Sequence, residues 1–130
     1  MIKLKITPVP KPRMTRADTW KKRPCVLKYW AYKDEIRLKI KESGIEIKDE
    51  LYLEFAIKMP KSWSKKKKEE NLGMGHRSRP DIDNLVKGVM DALFQEDAHV
   101  NKIYAKKIWA EEGSVSFISK NNLAAHLRLG

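Results

Sequence analysis

Asp81 and Asp83 stand two residues apart, just ahead of a run with helical periodicity. In an extended approach, residues i and i+2 point to the same side of the chain, so both carboxylates can face one point. Lys87 follows Asp83 by four residues, one helical turn, and its flexible amine can reach back toward that point. Asp97, with Glu96 beside it, follows the helix and can return to the same neighbourhood. Hard Mg²⁺ or Mn²⁺ takes carboxylate oxygen and water, and accepts one or two carboxylates plus substrate phosphate. Three aspartates with one lysine therefore suit phosphodiester hydrolysis: the metal activates water and stabilises developing charge, and the lysine neutralises the phosphate. Taken singly, each acid has a plainer reading: a turn at Asp81, a helix cap at Asp83, a surface acid at Asp97. Their combination in one place is what points to chemistry.

Charge along the chain sharpens this reading. Residues 81–100 carry five acids and one lysine, net −4. Elsewhere basic residues outnumber acidic ones: 14 to 7 over 1–50, 8 to 3 over 51–80, 5 to 2 over 101–130, for a total of +11. A surface this basic attracts a polyanion. A carboxylate cluster within it repels the same polyanion unless a divalent cation neutralises it. Lys65, Lys66, Lys67 and Lys68 sit close in sequence to the acidic patch and suit phosphate contact, as do Lys11, Arg13 and Arg16 in a basic loop that also holds Lys21, Lys22 and Arg23. His76 is expected in a flexible basic segment, as a phosphate contact, a neighbour of the metal, or a plainly exposed side chain. Nothing in the sequence suggests a module that reads bases, so affinity should come from phosphates and shape.

These residues need elements to hold them. Ile2, Leu4 and Ile6 alternate with polar residues as a strand does, and Pro8, Pro10 and Pro12 impose a rigid, extended continuation. Tyr29, Tyr32, Ile36 and Ile40 predict a helix from about Lys28 to Ser43, stopped by Gly44. Leu51, Leu53, Phe55, Ile57 and Met59 give the strongest strand signal, with Glu54 and Lys58 on its other face. Residues 61–80 carry no strand pattern, apart from a short helix that Ser64 can cap. Asp83 reads as the cap of a helix from Asn84 to about Phe94, with Leu85, Val89, Ala92 and Leu93 as its apolar face. Strands are expected at 102–110 and 114–119, paired as a hairpin through Glu112-Gly113, and a short helix over 120–130. The expected fold class is α+β: one domain spanning 1–130, a two-layer sandwich of a mixed, largely antiparallel sheet packed against helices.

At 130 residues the chain is long enough for a real core. A single cysteine, Cys25, rules out an intrachain disulfide and fits a reducing compartment. No apolar run approaches the roughly 20 residues of a membrane span. A cytoplasmic protein without a membrane partner is expected.

The run Arg79-Pro80-Asp81-Ile82-Asp83-Asn84-Leu85-Val86-Lys87-Gly88-Val89-Met90-Asp91-Ala92-Leu93, then Glu96-Asp97-Ala98-His99-Val100, resembles the RusA family of Holliday junction resolvases. Pro8-Val9-Pro10-Lys11-Pro12-Arg13 is similar to that family's N-terminal proline and basic loop. Met59-Pro60-Lys61-Ser62-Trp63-Ser64 with the lysines after it, His76 ahead of Arg79, and Lys107 also match, so the resemblance spans residues 4–118. It implies a homodimeric, Mg²⁺-dependent endonuclease that cuts branched, four-way DNA junctions symmetrically in recombination and repair. It also places the catalytic, metal-binding aspartates on Asp81, Asp83 and Asp97 and the essential lysine on Lys87. Two departures stand out. The family's Asp-Asp pair is Glu96-Asp97 here, and the link from Leu93 to Asp97 is shorter than in many relatives. Asp91 is therefore a substitute candidate for the third position, with a helix-surface or supporting role as its alternative.

Two other classes compete. One is a non-catalytic, basic nucleic-acid-binding protein with structural carboxylates, which metal-dependent cleavage that is lost on Asp81→Asn would separate from the enzyme. The other is a phosphohydrolase of small phosphates, which the large net charge disfavours.

Overall fold

The structure is a computed structural model that describes residues 1–13 and 23–119. Arg16, Lys21, Lys22 and the helix expected over 120–130 lie outside the described residues. Within them the chain is α+β, with three helices and a four-stranded mixed sheet. It divides into two compact units. One comprises the described parts of Met1–Pro8, Ile47–Ser78 and Val100–Gly130, the other those of Val9–Glu46 and Arg79–His99.

The first unit holds the sheet. Its strands are β1 (Ile2–Leu4), β2 (Glu50–Lys58), β3 (Lys102–Ala110) and β4 (Ser114–Phe117), in the order β1-β4-β2-β3. The expected hairpin between the last two strands does not form. β3 runs parallel to β2, from Glu50 opposite Lys102 to Lys58 opposite Ala110. β4 lies on the other side of β2, antiparallel, with Leu53 opposite Phe117 and Ala56 opposite Ser114. Residues 111–113 thus pass over the end of β2, where Lys58 Nζ lies 3.9 Å from Glu112 Oε2. Gly113 makes that crossing possible, because a Cβ there would sit 3.2 Å from the Thr7 Cα. The reason for the rearrangement lies in β2. Leu51, Leu53 and Phe55 are buried on one face, and Tyr52 and Ala56 are buried on the other. A strand covered on both faces belongs in the interior of a sheet, with a partner on each edge. The sheet is therefore mixed, and its longest pairing is the parallel one.

Residues 61–80 are more ordered than their sequence suggests. Ser64 accepts a 3.1 Å hydrogen bond from Lys67 N and caps α2 (Lys65–Asn71). Residues 73–76 then line the outer edge of β3. Gly73 N donates to Trp109 O, Trp109 N to Met74 O, and His76 N to Lys107 O.

The second unit is built on two helices, α1 (Pro24–Ser43) and α3 (Ile82–Leu93). α1 starts four residues ahead of expectation because Pro24 occupies its first turn, where a missing N–H costs nothing. Gly44, at φ 74°, ends it in the left-handed conformation. Val26, Tyr29, Tyr32, Ile36 and Ile40 form its buried stripe. α3 buries Leu85, Gly88, Val89 and Ala92. At Gly88 a Cβ would meet the Val9 carbonyl oxygen at 3.2 Å and the Tyr29 ring at 3.3 Å. Only glycine lets the proline-bracketed segment and α1 come so near to α3.

Candidate active site

The start of α3 sets the two leading carboxylates. Asp81 is the N-cap residue, at φ −70° and ψ 141°, and its carbonyl accepts the first helical bond from Leu85 N. Asp83 lies inside the first turn, so the expectation that it caps the helix is corrected by two residues. Both positions hold an aspartate, and the extended backbone that a cap requires falls on the first. The Asp83 Oδ1 accepts from the next amide, Asn84 N, at 2.9 Å. Asp81 makes no side-chain capping bond. Both carboxylates are exposed, and so is Lys87, one turn further along. The positive end of the helix dipole meets anions here.

Segment 11–13 lies along the same end of α3. Lys11 N donates to Asn84 O at 3.1 Å. Lys11, Pro12, Arg13, Asn84 and Lys87 line an open cavity of about 510 Å³. Three cationic side chains at one opening suit a phosphate.

Asp91, the substitute candidate, is engaged elsewhere. The Tyr29 hydroxyl donates to its Oδ2 at 2.6 Å, and Lys11 Nζ lies 2.9 Å from the same oxygen. Burial works to raise the Asp91 pKa, but the Tyr29 hydrogen bond and the Lys11 charge outweigh it and hold the carboxyl below its usual range. The partners act on Tyr29 in the opposite sense: burial first, then the bond to Asp91, push its phenol far above the ordinary value. The Arg37 guanidinium donates to Ala92 O and Asp91 O near the end of α3. Tyr29 and Asn84 make contacts around the candidate site that sequence reasoning did not assign. Tyr29 was read only as a helix-core residue, and the motif around Asp83 was the one signal pointing to Asn84.

Asp97 lies on the exposed segment that follows α3, and its neighbour Glu96 accepts from Ala98 N at 3.1 Å. Among the described residues no three His, Cys, Asp or Glu side chains form a ready group for a metal ion. The structure thus sets Asp81 and Asp83 at one helix end, without a preassembled third carboxylate.

The sheet-bearing unit holds the other basic residues. Lys65, Lys66 and Lys67 are exposed on α2 and Lys68 is half-buried. Lys67 Nζ sits 4.4 Å from the centre of the Trp63 ring. Trp63 packs on Trp109 at 4.6 Å, and His76 packs on Trp109 at 4.2 Å. His76 is only 5% exposed, so the expectation of a flexible, open position fails. Trp109, itself backed by Trp63, supplies the aromatic surface that covers the imidazole. Desolvation, reinforced by the Lys107 charge, lowers the His76 pKa, and its Nδ1 has no hydrogen-bond partner among the described residues. Lys107 Nζ donates to Ser78 O at 2.6 Å. In the helical unit, Arg79 is exposed just ahead of Pro80 and Asp81.

Residues 4–117 match the family model described as endodeoxyribonuclease RusA. A search of curated proteins returned no match.

Proposed function

The chain belongs to the endodeoxyribonuclease RusA family, and from that premise we propose that it resolves four-way DNA junctions by paired, symmetric phosphodiester cleavage during recombination and repair. The observation that carries this reading is the exposed Asp81, Asp83 and Lys87 grouped at one end of α3, inside the matched span.

The donor set fits a hard divalent cation. Asp81 leaves its carboxylate oxygens uncommitted to the helix, and Asp83 spends one oxygen on a local bond to Asn84 N. Mg²⁺ keeps several waters and accepts one or two carboxylates with phosphate oxygen. Asp81 and Asp83 would hold it, with Mn²⁺ as a substitute and Asp97 as the further ligand. Bound there, it supplies an activated water and a Lewis acid for the phosphoryl oxygen. Lys87 places a positive charge where the phosphate gains negative charge. Lys11 and Arg13 hold the strand through a neighbouring phosphate at the cavity they share with Lys87. Arg79, Lys107 and the α2 lysines add contacts to phosphate that carry no sequence preference; Arg16 belongs to the same proposed set.

A junction has approximate two-fold symmetry, and resolution requires two matched cuts. A two-fold homodimer offers two such sites related by the symmetry of its substrate. Among the described residues no helix is long and apolar enough to cross a membrane, in keeping with a proposed cytoplasmic setting where DNA is available. Cleavage of a synthetic four-way junction and of linear duplex, with and without Mg²⁺, tests the reading. Metal-dependent, junction-selective cutting that disappears in Asp81→Asn supports it. Equal cutting of duplex, or cutting that survives Asp81→Asn, contradicts it.

A further inference from the structure

Asn84, Gly88 and Asp91 are spaced i, i+4 and i+7, which puts them on one stripe of α3. The segment from Val9 to Arg13 meets that stripe through Val9 and Lys11. The Val9 carbonyl oxygen approaches the site of a Gly88 Cβ at 3.2 Å, Lys11 N donates to Asn84 O at 3.1 Å, and Lys11 Nζ reaches Asp91 Oδ2 at 2.9 Å. The side chain of Asp91 is itself fixed, because fully buried Tyr29 donates to the same oxygen at 2.6 Å. Lys11 remains 38% exposed in this pairing. An ammonium carries three donors, so one can stay on Asp91 while another faces solvent. Lys11 is also one wall of the cavity formed with Pro12, Arg13, Asn84 and Lys87.

We propose that Asp91 is a positioning residue that acts through Lys11. Its carboxylate, oriented by the Tyr29 hydroxyl, latches the basic segment 9–13 along α3 and presents Lys11 and Arg13 to a DNA phosphate at the cavity beside Lys87. The inference rests on the reading of the chain as a junction endonuclease and adds to it a role for Asp91 distinct from metal binding. A free lysine loses side-chain entropy when it settles on a phosphate. A lysine already held loses less, so the latch contributes affinity by preorganisation. The carboxylate is also repulsive toward phosphate, so removing it would tighten binding if repulsion were its main effect. The latch and a bare surface acid therefore predict opposite signs.

The experiment measures binding to a synthetic four-way junction without divalent metal, across a salt series, for Asp91→Asn, Lys11→Met and the double variant. The latch predicts that Asp91→Asn weakens binding roughly ten-fold, the size of one charge-assisted contact. It also predicts a salt slope reduced by about one, as for loss of a single phosphate-facing lysine. In the Lys11→Met background, Asp91→Asn should add no further loss. With Mg²⁺ present, the loss should fall on half-saturation rather than on the saturated cleavage rate. Tyr29→Phe keeps the buried ring and removes only the hydroxyl. It should give a smaller loss that also vanishes in Lys11→Met, and it decides the matter if Asp91→Asn fails to fold. Asp91→Asn that binds as well as wild type or tighter overturns the proposal, and so do losses that multiply in the double variant. Wild-type protein that binds no junction overturns both this inference and the proposed function.

Discussion

The Tyr29 hydroxyl donates a 2.6 Å hydrogen bond to Asp91 Oδ2, joining residues 62 positions apart in the chain. It ties the second turn of α1 to the last turn of α3 from a fully buried ring. With Lys11 on the same oxygen, a part-buried carboxylate is held ionised by two donors. The folded protein lowers the Asp91 pKa below the ordinary 3.8. A depressed carboxyl stabilises the fold above its unfolded pKa, and that contribution disappears as pH falls through the folded value. The stability difference between wild type and Asp91→Asn should therefore be constant near neutrality and shrink below about pH 4. Chemical denaturation at a series of pH values checks this. A difference that grows on acidification would contradict the assigned ionisation.

His76 should give a second, separate pH effect. Its pKa is lowered from 6.5 by burial and by the Lys107 charge. The neutral ring is the form that packs on Trp109. Its stabilisation is present above pH 6.5 and is lost as the pH falls through that value toward the folded one. His76→Phe keeps an aromatic ring on Trp109 and removes the titration. Thermal melting of the variant should lose the part of the pH dependence that wild type shows just below pH 6.5. Identical pH profiles would show that His76 is not the group responsible.

Gly88→Ala offers a test of packing on α3. Alanine favours a helix by roughly 1 kcal/mol over glycine. Against this, the new Cβ lies 3.2 Å from the Val9 carbonyl oxygen and 3.3 Å from the Tyr29 ring. The oxygen is backbone, set between Pro8 and Pro10, and yields poorly. Overpacking of this kind costs about 1–3 kcal/mol, so a net loss of roughly 1 kcal/mol is expected in denaturant unfolding. A stabilised variant would show that the segment at Val9 gives way freely.

Much of this architecture was legible locally. The apolar spacing of Tyr29, Tyr32, Ile36 and Ile40 specified the buried face of α1, Ser64 marked the cap of α2, and residues 102–110 were placed as a strand correctly. Strand pairing was not legible. Glu112-Gly113 signals a reversal of direction, but which strand lies beside β3 depends on the burial of both faces of β2. The start of α3 was misplaced because two aspartates two residues apart are equally good caps by composition. The type and order of the candidate catalytic residues were visible, and a supporting place for Asp91 was among the readings. Its partners Tyr29 and Lys11 were not visible, because both are remote in sequence. The burial of His76 similarly involves Trp109, which is remote from it in sequence.

Lys87 separates function from decoration. It is exposed, and an ion pair at helical spacing would contribute only about 0.2–0.5 kcal/mol. Lys87→Ala should leave the melting temperature near that of wild type while the cleavage rate falls by about 10²-fold or more, in line with the loss of a group that stabilises transition-state charge. Single-turnover cleavage of a four-way junction, read beside a melting curve, makes the comparison. An active Lys87→Ala protein would remove Lys87 from the chemistry.

The proposed function rests on Asp81 and Asp83, with Asp97, as the holders of the divalent ion for paired junction cleavage. The most direct measurement follows both strands of a labelled four-way junction with wild type, Asp81→Asn, Asp83→Asn, Asp97→Asn and Asp91→Asn, with and without Mg²⁺, alongside binding by each protein. Wild type should make Mg²⁺-dependent, symmetric paired cuts. The first three variants should make none, with their binding intact or tighter because phosphate repulsion is relieved. Asp91→Asn should still cut once saturated. Normal cleavage by Asp97→Asn together with none by saturated Asp91→Asn would contradict the ligand assignment, and a single nick made by a monomer would contradict paired resolution itself.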